Sequence, residues 1–276
     1  MLVPLMNATL MRRITRRAGA ITTRIRKCGV ARLLAWSIAI LVAGGCATPG
    51  TLHLYSISRA NLTAVHDSGG HGARKAPSFI DANENLVGFA YDPFTDHFFL
   101  RLSPGDRIRV VDRPAQAVKR EFKIEVAPAR GGDDLTIKPG NGHVFLSIPL
   151  ESRVLEITRL GKIVRVITLE NSPAFVRGIA YDAGRDVLCV LHGNPATRIT
   201  RYDLRGRETQ SIVVSRELAG PLAFDSERRE FYAPISAALG SSGRVGVFDE
   251  DGRLVRSLDL PADYIDVGPR SLVRVF

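Results

Sequence analysis

The chain carries acidic and amidic side chains at roughly regular intervals, and their oxygens are groups that bind divalent cations or the hydroxyls of a polyhydroxylated ligand. The positions that could do this chemistry are Glu84, Asp133, Asp134, Glu170, Asn171 and Glu217, with His192 as an added ligand. Convergence of several of them would create a metal site. Asp and Asn also suit turns for conformational reasons alone, so a purely structural explanation stays open.

These residues lie between the units of a sequence repeat. The matching segments are Gly88-Phe-Ala-Tyr-Asp92, Asp134-Leu-Thr-Ile-Lys138, Gly178-Ile-Ala-Tyr-Asp182 and Pro221-Leu-Ala-Phe-Asp225, with a fifth copy at Asp263-Tyr-Ile-Asp266. Their last columns are 46, 44, 43 and 41 residues apart. A short turn and an apolar run follow each segment, which predicts a β-hairpin.

Each complete repeat continues with a second predicted hairpin, such as Arg201 to Glu208. Gly161, Gly206 and Gly252 lie at the turns of these hairpins, where a positive φ costs glycine no steric strain. Arg113-Pro-Ala-Gln116 takes the same place in the first repeat. Four strands per unit at this period predict an all-β chain folded as a β-propeller.

The chain ends predict how the ring closes. The fifth unit has only two strands, the second at Ser271 to Phe276, while Thr51 to Ile57 and Leu62 to Val65 form an unmatched hairpin near the N-terminus. Together they would form one shared four-stranded blade, which gives five blades and leaves no open edge. Six blades remain the alternative if the connection Asp67 to Asn85 hides another pair of strands.

The first 45 residues have the organisation of an export signal. Eight basic and no acidic residues occur there, and the apolar run Leu33 to Ala43 is too short to span a bilayer. Ala43-Gly44-Gly45-Cys46 resembles the bacterial lipobox, which implies cleavage before Cys46 and lipid attachment to that cysteine. An ordinary signal peptide, an uncleaved anchor and an organellar transit peptide are the alternatives.

Cleavage would leave residues 46–50 as a lipid tether and 51–276 as the propeller. Residues 47–50 reach roughly 13 Å when extended, so the propeller would lie close to the membrane. Ala47 after the cysteine, by resemblance to enterobacterial sorting, implies the outer membrane, facing the periplasm. Removing the eight basic residues lowers the formal net charge from +10 to +2, so we expect no nucleic-acid partner despite the basic composition.

The phrase Gly178-Ile-Ala-Tyr-Asp-Ala-Gly-Arg-Asp186 resembles the blades of NHL, YVTN and gluconolactonase-like propellers. Those families include lactonases with a metal ion in the channel, protein-binding modules and surface proteins of unknown role. The resemblance implies the fold over residues 51–276 and does not choose among these activities.

The sequence favours a binding or scaffolding module for a protein or a small ligand. It contains no G-x-x-x-x-G-K-[ST], H-E-x-x-H or G-x-S-x-G motif. Cys189, within an apolar run, is predicted to be a small buried hydrophobe. The alternatives are a metal-dependent lactonase or esterase-like hydrolase, with a divalent cation in the channel as its cofactor, and a purely structural part of an envelope complex.

Overall fold

The computed structural model describes residues 53–58, 61–67, 79–124, 134–148, 150–173, 175–236, 244–260 and 262–268, with the backbone alone for Ser58 and 61–67. All of them belong to the unit Ala47–Phe276. The predicted signal segment, the lipid attachment site Cys46 and the tether lie outside the described residues.

The strands form four four-stranded antiparallel sheets, the blades, and a fifth sheet of three strands. Blade 1 contains β3 (Asn85–Asp92), β4 (His97–Ser103), β5 (Arg107–Asp112) and β6 (Ala117–Lys123). Blade 2 contains β7 (Leu135–Ile137), β8 (Val144–Ile148), β9 (Arg153–Ile157) and β10 (Ile163–Thr168). Blade 3 contains β11 (Val176–Asp182), β12 (Val187–Gly193), β13 (Ala196–Asp203) and β14 (Glu208–Leu218).

Blade 4 contains β15 (Ala223–Asp225), β16 (Glu230–Pro234), β17 (Val245–Phe248) and β18 (Leu254–Leu258). The fifth sheet, the shared blade, contains β19 (Tyr264–Gly268), β1 (His53–Ser58) and β2 (Asn61–Asp67) in that spatial order. Each blade therefore begins with an inner strand, and the last strand of each four-stranded blade lies at its outer edge.

Position within a blade explains the composition of the strands. The second and third strands are covered by neighbouring blades on both faces, so they are almost continuously apolar, as in Phe98 to Leu100 and Val144 to Leu146. The outer strand is covered only in part, and β10 has a single buried residue, Ile167. The core thus consists of apolar layers between successive blades, and burial of this apolar surface drives formation of the ring.

The turns before the outer strands contain the predicted glycines, with φ of +85° at Gly161, +87° at Gly206 and +80° at Gly252. A Cβ at Gly206 would also collide with the carbonyl oxygen of Thr168 in the preceding blade. Glycine is required there both by the positive φ and by the close approach of the adjoining blade.

The inner strands close the ring, since β3 contacts β7, β7 contacts β11, β11 contacts β15, β15 contacts β19, and β19 contacts β3. This circuit confirms the five-bladed propeller. The six-bladed alternative is wrong, because the direct contact between β19 and β3 leaves no place for a blade between them.

The shared blade joins the two ends of the propeller, as predicted, but its arrangement differs from the prediction. Strand β1 pairs directly with β19, with Ile57 opposite Tyr264 and His53 opposite Gly268. The position expected for Ser271 to Phe276, between the inner strand and the N-terminal hairpin, is thus taken by β1. That C-terminal segment lies outside the described residues.

Aromatic packing seals this closure against blade 1. The ring of Tyr55 lies 4.7 Å from that of Tyr91 and 5.0 Å from that of Phe98, measured between centroids. The Tyr264 hydroxyl donates to the carbonyl of Leu86. Within the described part of the chain, no helix has the length and apolar character needed to cross a bilayer.

Candidate functional site

Glu84, the first of the predicted ligands, is held in a structural ion-pair cluster at the start of blade 1. It is 5% exposed, and its carboxylate accepts hydrogen bonds from Arg107 at 2.6 Å and from Arg109 at 2.7 and 2.8 Å. Burial raises the pKa of Glu84, but the hydrogen bonds and charge of Arg109, with Arg107 and the amide of Asp81, lower it overall. Its charge is therefore already neutralised.

Asp134 reaches the central channel. One of its carboxylate oxygens, Oδ2, accepts hydrogen bonds from the amides of Ile179 in β11 and of Leu222 just before β15, at 3.0 and 3.3 Å. Inner strands pair on one side only within their own sheets, so their other edges face the channel axis. A carboxylate that binds two of these edges at once must lie in the channel.

The second oxygen of this carboxylate, Asp134 Oδ1, is buried and has no hydrogen-bond partner among the described residues. The residue is 2% exposed. Burial raises the pKa of Asp134 well above its ordinary value, against the opposing effect of the amides of Ile179, Leu135 and Leu222, and the charge of Asp266 raises it further.

Asp266, in β19, is a second carboxylate in the channel. Its Oδ2 accepts the amide of Tyr91 in β3 at 2.7 Å, and its Oδ1 accepts the amide of Val267 at 2.8 Å. It is half-buried, and loss of solvent raises its pKa to about 7 although both amides lower it. Asp134 and Asp266 form what we call the channel pair.

The remaining predicted ligands do not join this pair. Glu170, Asn171 and Glu217 are exposed on loops or on the outer strand β14, and Asp133 lies outside the described residues. The described residues include no group of three or more His, Cys, Asp and Glu side chains placed to hold a metal ion. Of the predicted set, the structure places only Asp134 in the channel.

His192 is buried in blade 3 beside two hydroxyl groups. Its Nδ1 lies 3.5 Å from the Oγ of Ser172, and its Nε2 lies 3.3 Å from the hydroxyl of Tyr202. Burial lowers the pKa of His192 to about 4; the charge of Arg198 lowers it too, and a hydrogen bond with the backbone of Pro173 opposes both effects. The imidazole is therefore neutral at physiological pH.

Other buried acids are matched by arginine at the interfaces between blades. Asp92 of blade 1 accepts two hydrogen bonds, at 2.7 and 3.1 Å, from Arg159 of blade 2. Glu250 of blade 4 is paired with Arg185 and Arg201 of blade 3. Cys189 is free, fully buried and has a pKa raised to about 12 by burial, as a small core residue should.

Strand β10 presents an apolar outer edge that the sequence analysis did not identify. Ile163, Val164 and Val166 are 44–45% exposed, whereas each of the other three outer strands has one exposed large apolar residue. Those residues are Val118, Val213 and Val255. β10 pairs with β9 on one side only. Its period-two pattern could have revealed it, because its apolar residues continue on the face that should be polar.

Asp266 was quoted as part of a repeat column, but its role was missed. The carboxylates in the same column, Asp92, Asp182 and Asp225, accept amides within the turn that follows their strand, such as that of Phe94. Asp266 instead binds the next inner strand. The departure from repeat geometry at the last unit, where the ring closes, was the available signal.

No family model and no curated protein matches the sequence. Solved structures do match the fold. The propeller of a nidogen/laminin complex superposes with a TM-score of 0.54 at 10% identity, over 80% of this chain and 99% of that chain. Glutaminyl cyclase of Myxococcus xanthus gives 0.50 at 15%, over 65% and 72%.

A hydrazine synthase of Kuenenia stuttgartiensis matches at 16% identity with a TM-score of 0.45, over 68% of this chain. This chain spans about half, 52%, of that protein's length. At these identities the similarities show a β-propeller fold. The fold is used by both binding proteins and enzymes.

Proposed function

We propose that this chain is a lipid-anchored, protein-binding propeller of the bacterial cell envelope, and that the partner adds an extended segment to the outer edge of blade 2. The apolar edge of β10 is the observation that carries this proposal. Its outer backbone groups can pair with a new strand, and its side chains can bury apolar surface when they do so.

The position of β10 supports a protein partner. Leu160, at the turn before the strand, is 72% exposed and extends the apolar surface. The one charged side chain of the strand, Arg165, is bound to Glu156 at 2.5 Å and does not guard the edge against pairing. Recognition of laminin by a nidogen propeller, named in that solved complex, shows that this fold can serve protein binding.

The binding test compares two surface changes of the same kind. We expect Val164→Lys with Val166→Lys to abolish recovery of a crosslinked envelope partner from cells, and Val213→Lys on the outer strand of blade 3 to leave recovery unchanged. All three side chains are exposed, so the fold should tolerate these changes. Equal recovery with the wild type and the β10 variant would rule out this docking edge.

The anchor is tested separately. Incorporation of a labelled fatty acid, and its loss in Cys46→Ser, would support lipidation at the predicted lipobox. Subfractionation of the envelope would then test the outer-membrane location. Labelling that survives in Cys46→Ser, or no labelling of the wild type, would contradict the anchor without affecting the binding edge.

A hydrolase of the lactonase or esterase-like type is the second candidate, and the contact between Ser172 and His192 favours it. A nucleophile and a base within reach of one another, with Tyr202 beside the base, resemble the arrangement used in acyl transfer. Turnover of ester or lactone substrates that is lost in Ser172→Ala would support this candidate, and the absence of turnover in the wild type would count against it.

A further inference from the structure

The channel pair differs from the other buried carboxylates in what surrounds its charge. Glu84, Asp92 and Glu250 are each bonded to arginine. Asp134 and Asp266 accept hydrogen bonds only from backbone amides among the described residues. An ionised carboxylate removed from water is costly unless a positive charge compensates it.

The uncompensated charge has a specific location at Asp134 Oδ1. This oxygen is buried without a hydrogen-bond partner in the described structure, while its companion Oδ2 is held by the amides of Ile179 and Leu222. Buried polar atoms are seldom left unpaired in native proteins, so such an atom indicates a missing partner. The charge of Asp266 is close enough to affect Asp134 electrostatically.

We propose that the channel pair binds one hard divalent cation, Ca²⁺, through Asp134 Oδ1 and the carboxylate of Asp266. Two carboxylates supply two negative charges and oxygen ligands only, which suits a hard cation. Ca²⁺ accepts six to eight oxygen ligands in irregular geometry, so water in the channel can complete its coordination. Mg²⁺ demands a stricter octahedron.

The backbone contacts of the pair give this ion a structural role. Asp134, of blade 2, is bonded to blade 3 and to the residue that opens blade 4. Asp266, of the shared blade, is bonded to blade 1. The two aspartates thus connect the inner strands in two groups, and an ion between the carboxylates joins these groups. Binding to the folded ring alone stabilises it by mass action.

This site differs from the cation site that the loop residues predicted. Of that set it uses Asp134 alone, and it adds Asp266. Glu170 is exposed outside the channel, so Glu170→Gln is a matched control that also removes one carboxylate charge. The proposal does not depend on the docking edge of β10, and the two can fail independently.

The experiment uses the purified full chain, prepared once without chelator and once after chelation. Elemental analysis measures bound ions, and thermal unfolding is followed with and without added Ca²⁺. We expect about one ion per chain, lost on chelation, and a Ca²⁺-dependent rise in Tm. Asp134→Asn and Asp266→Asn should each weaken Ca²⁺ binding roughly tenfold or more, whereas Glu170→Gln should respond like the wild type.

Absence of both a bound ion and a Ca²⁺ response in the wild type would overturn the proposal. So would an undiminished response in both channel variants, which would show binding elsewhere on the surface. A full response to Mg²⁺ with none to Ca²⁺ would overturn the choice of ion. If one variant does not fold, the other variant and the stoichiometry of the wild-type protein still decide the outcome.

Discussion

The blade interfaces and the channel treat buried carboxylates in opposite ways. At the interface between blades 1 and 2, Asp92 meets the guanidinium of Arg159 with two hydrogen bonds. In the channel, Asp134 and Asp266 meet only amide groups of the inner strands. Amides orient a carboxylate but carry no net charge, so the first arrangement is complete within the protein and the second leaves charge available to an external cation.

The largest expected effect comes from breaking an arginine-matched cluster. Glu84→Ala should lower the free energy of unfolding by about 3–5 kcal/mol, because Arg109 is left buried without its main partner. Chemical denaturation measures this change, with Glu170→Ala as the exposed control. A loss no larger than that of the control would show that Glu84 is not a structural residue.

A buried base without a carboxylate partner gives a pH-dependent effect. The pKa of His192 is lowered from 6.5 to about 4 in the folded protein, so the unfolded chain binds a proton more readily between these values. Stability contributed by neutral His192 is therefore complete above pH 6.5 and lost as the pH falls to 4, by about 3 kcal/mol.

The measurement compares the free energy of unfolding of the wild type and of His192→Gln from pH 7.5 to pH 4. The difference between the two should shrink by that amount as the pH falls, because glutamine does not titrate. His97, whose pKa is also lowered by burial, contributes equally to both proteins and cancels. A difference that stays constant with pH would contradict the assignment.

The channel pair should respond to substitution with the opposite sign from Glu84 when no divalent ion is present. Asp266→Asn in chelator at pH 8 should raise the free energy of unfolding by about 1–2 kcal/mol, since it removes a charge that only amides compensate. Urea denaturation in EDTA measures this change. A loss comparable to that of Glu84→Ala would erase the distinction between the two regions.

The smallest effect is expected for ion pairs at exposed turns. Arg253 and Asp251 are 77% and 67% exposed and lie 3.3 Å apart. Arg253→Ala should change the free energy of unfolding by less than about 0.5 kcal/mol, because solvent screens the pair. A larger loss would mean that burial does not decide the strength of these pairs.

The blades were predictable because their signals are local. The spacing of the Gly178-Ile-Ala-Tyr-Asp182 type of segment and the turn glycines such as Gly206 define hairpins that form within one unit. The number of blades followed from this period. Direct pairing of β1 with β19 was not predicted, because the competition between two segments for one strand position depends on the geometry of the closed ring.

The candidate site was less predictable because it depends on contacts between blades. Glu84 and Asp134 belong to the same acidic loop pattern, yet Arg107 and Arg109 engage the first, and the amides of Ile179 and Leu222 engage the second. The charges at Arg107, Arg109 and Glu121 alternate along paired strands, which could have predicted the first cluster. No sequence period identifies which acid turns inward to the axis.

The pairing of β1 with β19 also sets the order in which the molecule can form during synthesis. Residues such as Ile57 and Tyr264, which lie opposite each other, are separated by most of the chain, whereas the blades between them are built from neighbouring hairpins. Local blades can therefore assemble while the chain is still growing, but the N-terminal hairpin must wait for its inner strand. Ring closure is a late, high-contact-order step, and until then an unpaired β1 is exposed to the wrong partners.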